Sequence, residues 1–294
     1  MHQPTRPTFE ITLAAFLRSL EGSNKSRATI TAYRSDLAQF VAFLEETNCT
    51  IGGPANVRRE DIAEYLGSLA DKGITGKSRA RKLSTLREYF RYLEANGQVD
   101  KSPTLGIETP KKERNGRTTL RPDEYTQLLA LAGGNPRDYA ILQVFLQTGI
   151  RVSELCSLTR ADIDLKDRTV RVAHGKGMQA RTIELEKKGI QALKSYLEVR
   201  PQSLSEELFL NYQGEPLSER GVRKMLAKYL KAAGITKKVS PHSLRHTFAT
   251  RKAERGVSPF HLKEWLGHAK MDTTMIYVHM GKESARKQME ATSL

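Results

Sequence analysis

The sequence predicts a mainly α-helical protein with one small antiparallel β-sheet, divided into two domains. Three observations lead there. Apolar residues recur at helical spacing through the first hundred residues and again beyond residue 120. Two short stretches between residues 168 and 185 alternate instead with a period of two. A segment without apolar periodicity separates the halves, and 294 residues exceed the usual size of one hydrophobic core.

The first helix is expected over residues 9–20, where Phe9, Leu13, Phe16, Leu17 and Leu20 follow one face. The second covers 26–46, with Tyr33, Leu37, Phe40, Val41 and Leu44 on a stripe and Arg34, Asp36 and Gln39 facing away. Gly52-Gly53-Pro54 interrupts the pattern, which resumes over 60–70. A fourth helix over 77–95 buries Leu83, Leu86, Phe90 and Leu93 and presents a basic outer face. Lys77, Arg79, Arg81, Lys82, Arg87 and Arg91 meet only one acid, Glu88, between positions 77 and 91, so this stripe is a candidate DNA contact.

From Ser102-Pro103 to Thr119 the periodicity is lost, and Lys111, Lys112, Arg114 and Arg117 gather around Asn115-Gly116, as in a linker. The expected division is a helical domain over 1–108, a basic linker over 109–119 and a second domain over 120–294. The second domain opens with helices at 122–132 and 136–148, followed by a helix with Ser153-Glu154 as its N-cap. Residues 168–173 and 180–185 then read as a hairpin around His174-Gly175-Lys176-Gly177. Helices follow at 187–198, 218–233, 242–255 and 258–266, the last with Pro259 in its first turn.

The formal charge is +15, which favours a polyanionic partner such as nucleic acid or an acidic membrane surface. Residues 1–110 hold 15 Lys and Arg against 13 Asp and Glu, a net of +2, which leaves +13 on residues 111–294. No run of 18 apolar residues occurs and residues 1–10 lack the apolar core of a signal peptide, so a soluble cytoplasmic protein without a membrane partner is expected. Cys49 and Cys156 are the only cysteines, which argues against a disulfide framework or a cysteine zinc site and for two small buried apolar residues.

The residues suited to chemistry cluster near the C-terminus. His242 and Arg245 stand three apart on one helix, where an imidazole and a guanidinium can approach the same phosphate. Arg151, after Thr148-Gly149, is expected to emerge at a turn between helices as a second guanidinium. Phosphoryl transfer asks mainly for positioning and charge neutralisation, which the planar Arg fork supplies at any working pH. Either Arg alone could be a surface ion pair; together with His242, His268 and Tyr277 they form a set able to grip a phosphodiester and attack it with a phenol. A phenolate at pH 7 costs roughly 4 kcal/mol, which neighbouring cations reduce. Lys176, on the glycine-flanked turn, is the first candidate for protonating a departing 5′ oxygen, with His174 as the alternative. His242 and His246 have i, i+4 spacing, but no acid completes an H-E-x-x-H motif and Arg245 lies between them, so neither metal nor cofactor is expected.

In order along the chain, Arg151, Lys176, His242-x-x-Arg245, His268 and Tyr277 resemble the catalytic series of the tyrosine recombinase (phage integrase) family, and the length resembles its compact Xer-like members. The blocks carrying the resemblance are Thr148-Gly149-Ile150-Arg151-Val152-Ser153-Glu154-Leu155, residues 242–250, and Leu266-Gly267-His268 with Thr273-Thr274-x-x-Tyr277. Thr29-x3-Tyr33-x2-Asp36-Leu37-x2-Phe40 is similar to the core-binding, SAM-like domain of that family.

The resemblance implies a two-domain clamp on duplex DNA, a 3′-phosphotyrosine at Tyr277 and strand exchange through a four-way junction. It also implies clamping of phosphate oxygens by Arg151 and Arg245, assistance from His242 and His268, Lys176 as general acid and Glu154 orienting Arg151. The implied partner is DNA with paired inverted repeats, bound by a tetramer of this chain or with a related recombinase. Three features depart from the family pattern: a longer, more basic linker, Arg251-Lys252 in place of an apolar pair, and a short tail over 281–294, a segment that members often pass to a neighbouring subunit. Dimer resolution and integration or excision of a mobile element both fit, and the unusual linker and tail slightly favour a mobile element. Relaxation of the type IB topoisomerase kind and a non-catalytic DNA-binding regulator are the alternatives.

Overall fold

A computed structural model describes residues 8–47, 52–111, 118–172, 180–268 and 274. The chain forms two compact units, residues 1–115 and 116–294. Among the described residues no helix is long and apolar enough to cross a membrane.

Unit 1 is built from α1 (Phe9–Gly22), α2 (Arg27–Glu46), α3 (Arg59–Asp71) and α4 (Gly76–Ala95). Three of the four starts have a local cause. The Ser26 hydroxyl accepts the Thr29 N–H at 3.1 Å ahead of α2, and Thr75 does the same for Ser78 ahead of α4. Asp61 reaches back to the Arg58 N–H at 2.7 Å and closes the first turn of α3. The apolar stripes meet in a core of Phe16, Leu37, Phe40, Ile62, Tyr65, Leu83, Leu86, Tyr89, Phe90 and Leu93. Phe16 and Tyr89 pack edge to face at 5.4 Å, and the Tyr89 hydroxyl is 2.7 Å from Thr12 Oγ1.

One polar cluster lies inside this bundle and corrects two expectations. Asp36 does not face away: it is 2% exposed and takes an ion pair from Lys82 at 2.9 Å, a hydrogen bond from Thr85 and a close ion pair from Arg81. Lys82 is buried with it, and its ammonium also donates to Gln39 at 2.7 Å. A carboxylate enclosed between helices requires such partners, so Lys82 belongs to the α2–α4 contact and leaves the basic stripe. Beyond α4, the Arg87 guanidinium donates to the Ile107 carbonyl and Thr109, and Ser102 and Thr104 are buried, so this part of the linker-like segment is fastened to unit 1.

Unit 2 comprises α5 (Pro122–Ala132), α6 (Pro136–Thr148), α7 (Val152–Ser157), β1 (Ile163–Asp164), β2 (Thr169–Val172), β3 (Arg181–Glu184), α8 (Lys187–Val199), α9 (Glu219–Ala232), α10 (Pro241–Glu254) and α11 (Pro259–Leu266). The mainly helical class with one small antiparallel sheet is the one expected from periodicity. The hairpin strands pair with Val170 opposite Ile183 and Val172 opposite Arg181. A third strand, β1, joins the outer side of β2; at two residues it is too short to show alternation. Helix α6 is central, with Ile141, Leu142, Val144 and Phe145 fully enclosed, and it packs on α5, α8 and α10. Cys156 lies half-buried against the same core, and burial, aided by Glu219, pushes its thiol up to about 11. Cys49 lies outside the described residues.

Candidate active site

The site begins where α6 ends. Gly149 caps the helix with φ 61°, and a Cβ there would come within 2.4 Å of the Phe248 ring. Both the left-handed backbone and the close approach require glycine. The tight turn sends Ile150 into the core and places Arg151 at the N-cap of α7. This corrects the expected cap at Ser153. The helix already starts at Val152, and its first turn is closed by the Glu154 carboxylate accepting the Arg151 backbone N–H at 2.7 Å. The Arg151 side chain, about one-third exposed, pairs with Glu154 at 2.8 Å.

Helix α10 supplies the second guanidinium. Residues 243–250 are all buried, so this helix is enclosed on every side and its polar residues are internal. Arg245 is 3% exposed, and its two terminal nitrogens donate to the carbonyls of Gly149 at 2.7 Å and Leu266 at 2.5 Å. His242, one turn earlier, is exposed. His246 is buried and meets the His242 ring edge-on, with centroids 4.3 Å apart.

The third part is the C-terminal end of α11. Gly267 takes φ 60°, and the N–H groups of Gly267 and His268 return to the carbonyls of Glu264 and Lys263. The next three carbonyls would be left over at a helix end. Instead, each receives a guanidinium: Trp265 from Arg181 Nε at 2.7 Å, Leu266 from Arg245 and Gly267 from Arg151 at 3.0 Å. Cations also complement the negative end of the helix dipole. His268 follows directly, with Nδ1 2.9 Å from the hydroxyl of Thr274, a fully buried residue three positions before Tyr277 in the sequence.

Arg181 is the residue that sequence reasoning missed. Its Nη1 and Nη2 donate to the two oxygens of Glu154 at 3.1 and 2.7 Å, and its side chain is almost fully buried. The signal was present in the alternation of 181–185, which puts Arg181 on the inward face with Ile183 and Leu185. Glu154 thus serves two guanidiniums and one backbone N–H. Burial pushes its carboxyl up, but hydrogen bonds from Arg181 and Arg151 outweigh that and hold it at about 2. Two guanidiniums share this one carboxylate, so the pair keeps excess positive charge suited to a phosphodiester whose charge grows during attack.

Lys176, His174 and Tyr277 lie outside the described residues. Several described tyrosines are unsuited to nucleophilic attack: burial pushes the phenols of Tyr65, Tyr89 and Tyr229 up to about 12. In unit 1, Lys77, Arg81 and Arg91 of the basic stripe are exposed and Arg79 and Arg87 half-buried, while Lys82 is turned inward.

Residues 118–284 match the phage integrase family, and residues 13–97 match the phage integrase N-terminal SAM-like domain. The chain is 35% identical over 276 residues to tyrosine recombinase XerC of Bacillus pumilus, covering 90% of each. It is 39% identical over 271 residues to tyrosine recombinase XerD of Staphylococcus saprophyticus, covering 89% of this chain and 91% of that one. Among solved structures it is similar to XerA recombinase, at 30% identity and TM-score 0.56 over 97% of this chain and 99% of that one. The fold is shared with the Tn1549 transposon integrase in complex with a circular intermediate DNA, at 22% identity and TM-score 0.78 over 96% of this chain and 99% of that one. The chain therefore belongs to the phage integrase, or tyrosine recombinase, family of site-specific DNA recombinases.

Proposed function

We propose that this recombinase resolves chromosome or plasmid dimers, cutting and rejoining DNA through a phosphotyrosine. The observation that carries the chemistry is that Arg151 and Arg245 donate to neighbouring carbonyls, Gly267 and Leu266, directly before His268. Two guanidiniums fixed side by side next to an imidazole make a clamp for the nonbridging oxygens of one phosphate. The Tyr277 phenol gives up its proton to solvent as its oxygen attacks phosphorus, a Tyr–O–P bond forms at the 3′ phosphate, and the P–O5′ bond breaks. Lys176 gives its proton to the departing 5′ oxygen, and His242 and His268 assist with hydrogen bonds. The freed 5′ hydroxyl of a partner strand then attacks the phosphotyrosine. Bond energy is conserved in the covalent link, so the cycle runs without metal or cofactor.

In this reading residues 1–108 and 120–294 both contact duplex DNA, joined through 109–119, with Lys77, Arg79, Arg81, Arg87 and Arg91 on phosphates. The substrate carries paired inverted repeats bound by four protomers in the cytoplasm. Support for dimer resolution comes from the XerC and XerD relatives, which span about nine-tenths of the chain. Incubation with nicked DNA in EDTA should give a covalent protein–DNA adduct that Tyr277→Phe abolishes. An unchanged adduct in that variant removes Tyr277 from its role, and a need for Mg²⁺ restores metal chemistry. A four-way junction formed from two sites separates recombination from relaxation.

A further inference from the structure

Through three hydrogen bonds Arg181 joins three parts of unit 2 that are far apart in sequence: β3, where it sits; α7, through Glu154; and the end of α11, through the Trp265 carbonyl. Its partner oxygen Glu154 Oε1 is also the one that pairs with Arg151 Nη1. Arg151 in turn donates to Gly267, two residues beyond Trp265. A closed circuit results, in which Arg181 and Arg151 share a carboxylate at one end and a helix terminus at the other. An apolar side chain on the inward face of β3 would join the core with less desolvation than an enclosed guanidinium. The circuit explains what the guanidinium adds.

We propose that Arg181 is a positioning residue for strand cleavage, setting Arg151 through the shared Glu154 carboxylate and setting the turn before His268 through the Trp265 carbonyl. The proposal rests on the reading of Arg151 as a phosphate clamp. Without Arg181, Glu154 keeps only half of its side-chain partners and Arg151 is held by a carboxylate free to rotate. A clamp displaced by about 1 Å loses on the order of 100-fold in rate. Glu154 would also remain buried while losing the hydrogen bonds that hold it ionised, so its proton affinity rises.

The test uses the full chain and a nicked duplex carrying the sequence that the wild-type protein enriches from a random pool. Arg181→Gln and Arg181→Lys are compared with wild type for DNA affinity, thermal midpoint and single-turnover adduct formation at saturating DNA. Arg181→Lys keeps a charge against Glu154 and preserves the fold, but a single ammonium cannot reproduce the fork. Cleavage in both variants should fall about 100-fold with DNA affinity nearly unchanged. The pH–rate profile of Arg181→Gln should gain an acid limb at a higher pH than any the wild type shows. Wild-type cleavage by either variant overturns the proposal, as does a rate loss matched by lost DNA affinity with an unchanged pH profile. Absence of an adduct from the wild-type protein overturns the cleavage reading itself, and the role of Arg181 with it.

Discussion

At Glu154 one carboxylate accepts from Arg181, from the Arg151 side chain and from the Arg151 backbone. Its folded-state pKa of about 2 lies below the ordinary carboxylate value of 4.5, so it contributes stability that is complete above that ordinary value. The contribution fades as the pH falls from about 4.5 toward about 2. Glu154→Gln should therefore lower stability at neutral pH by about 3–5 kcal/mol, because it leaves buried guanidinium charge without its counterion. Denaturant unfolding of wild type and variant should converge when repeated in acid. A difference that stays constant from pH 7 to about pH 3 would mean that the carboxylate acts through packing alone. Arg151, Glu154, His242, Arg245 and His268 could all be found in the sequence because each sits in a short local pattern. Arg181 could not be singled out in this way, since its significance comes from partners 27 and 84 positions away.

Among the elements, helices showed themselves through periodicity, and several of their starts through Ser26, Pro122, Pro136 and Pro259, which act within one turn. The charged residues of α2 and α4 show the opposite case. Lys82 and Asp36 look like solvent-facing charges in their own helices, and only the crossing of those helices joins them 46 positions apart. A periodicity argument sees one helix at a time. The consequence is measurable. Lys82→Met should destabilise unit 1 by about 3 kcal/mol, since Asp36 stays buried with fewer partners. It should leave the salt dependence of DNA binding unchanged. Lys77→Ala, on the exposed part of α4, should do the reverse: no loss of stability, and a slope of log K against log salt shallower by about one. A shallower slope for Lys82→Met would return that residue to the DNA-facing stripe.

For the molecule as a whole, the charge is lopsided, with +13 of the +15 on residues 111–294. Electrostatic attraction to a polyanion is sequence-independent and screened by salt, so most of the salt-sensitive affinity should reside in that part of the chain. Charge reversal of Lys228 and Lys231 on α9, compared with reversal of two lysines in unit 1, tests whether the field or the local contact governs affinity; equal effects on the salt slope favour the field. Unit 2 also contains the end of α11, where the carbonyls of Trp265, Leu266 and Gly267 fasten side chains from β3, α10 and the start of α7. Such an arrangement has few independent ways to fail. Tilting one short helix would slacken all three fastenings together, so the centre should switch between assembled and disarmed in a single step, and the machinery for cutting DNA is absent whenever that helix is out of register.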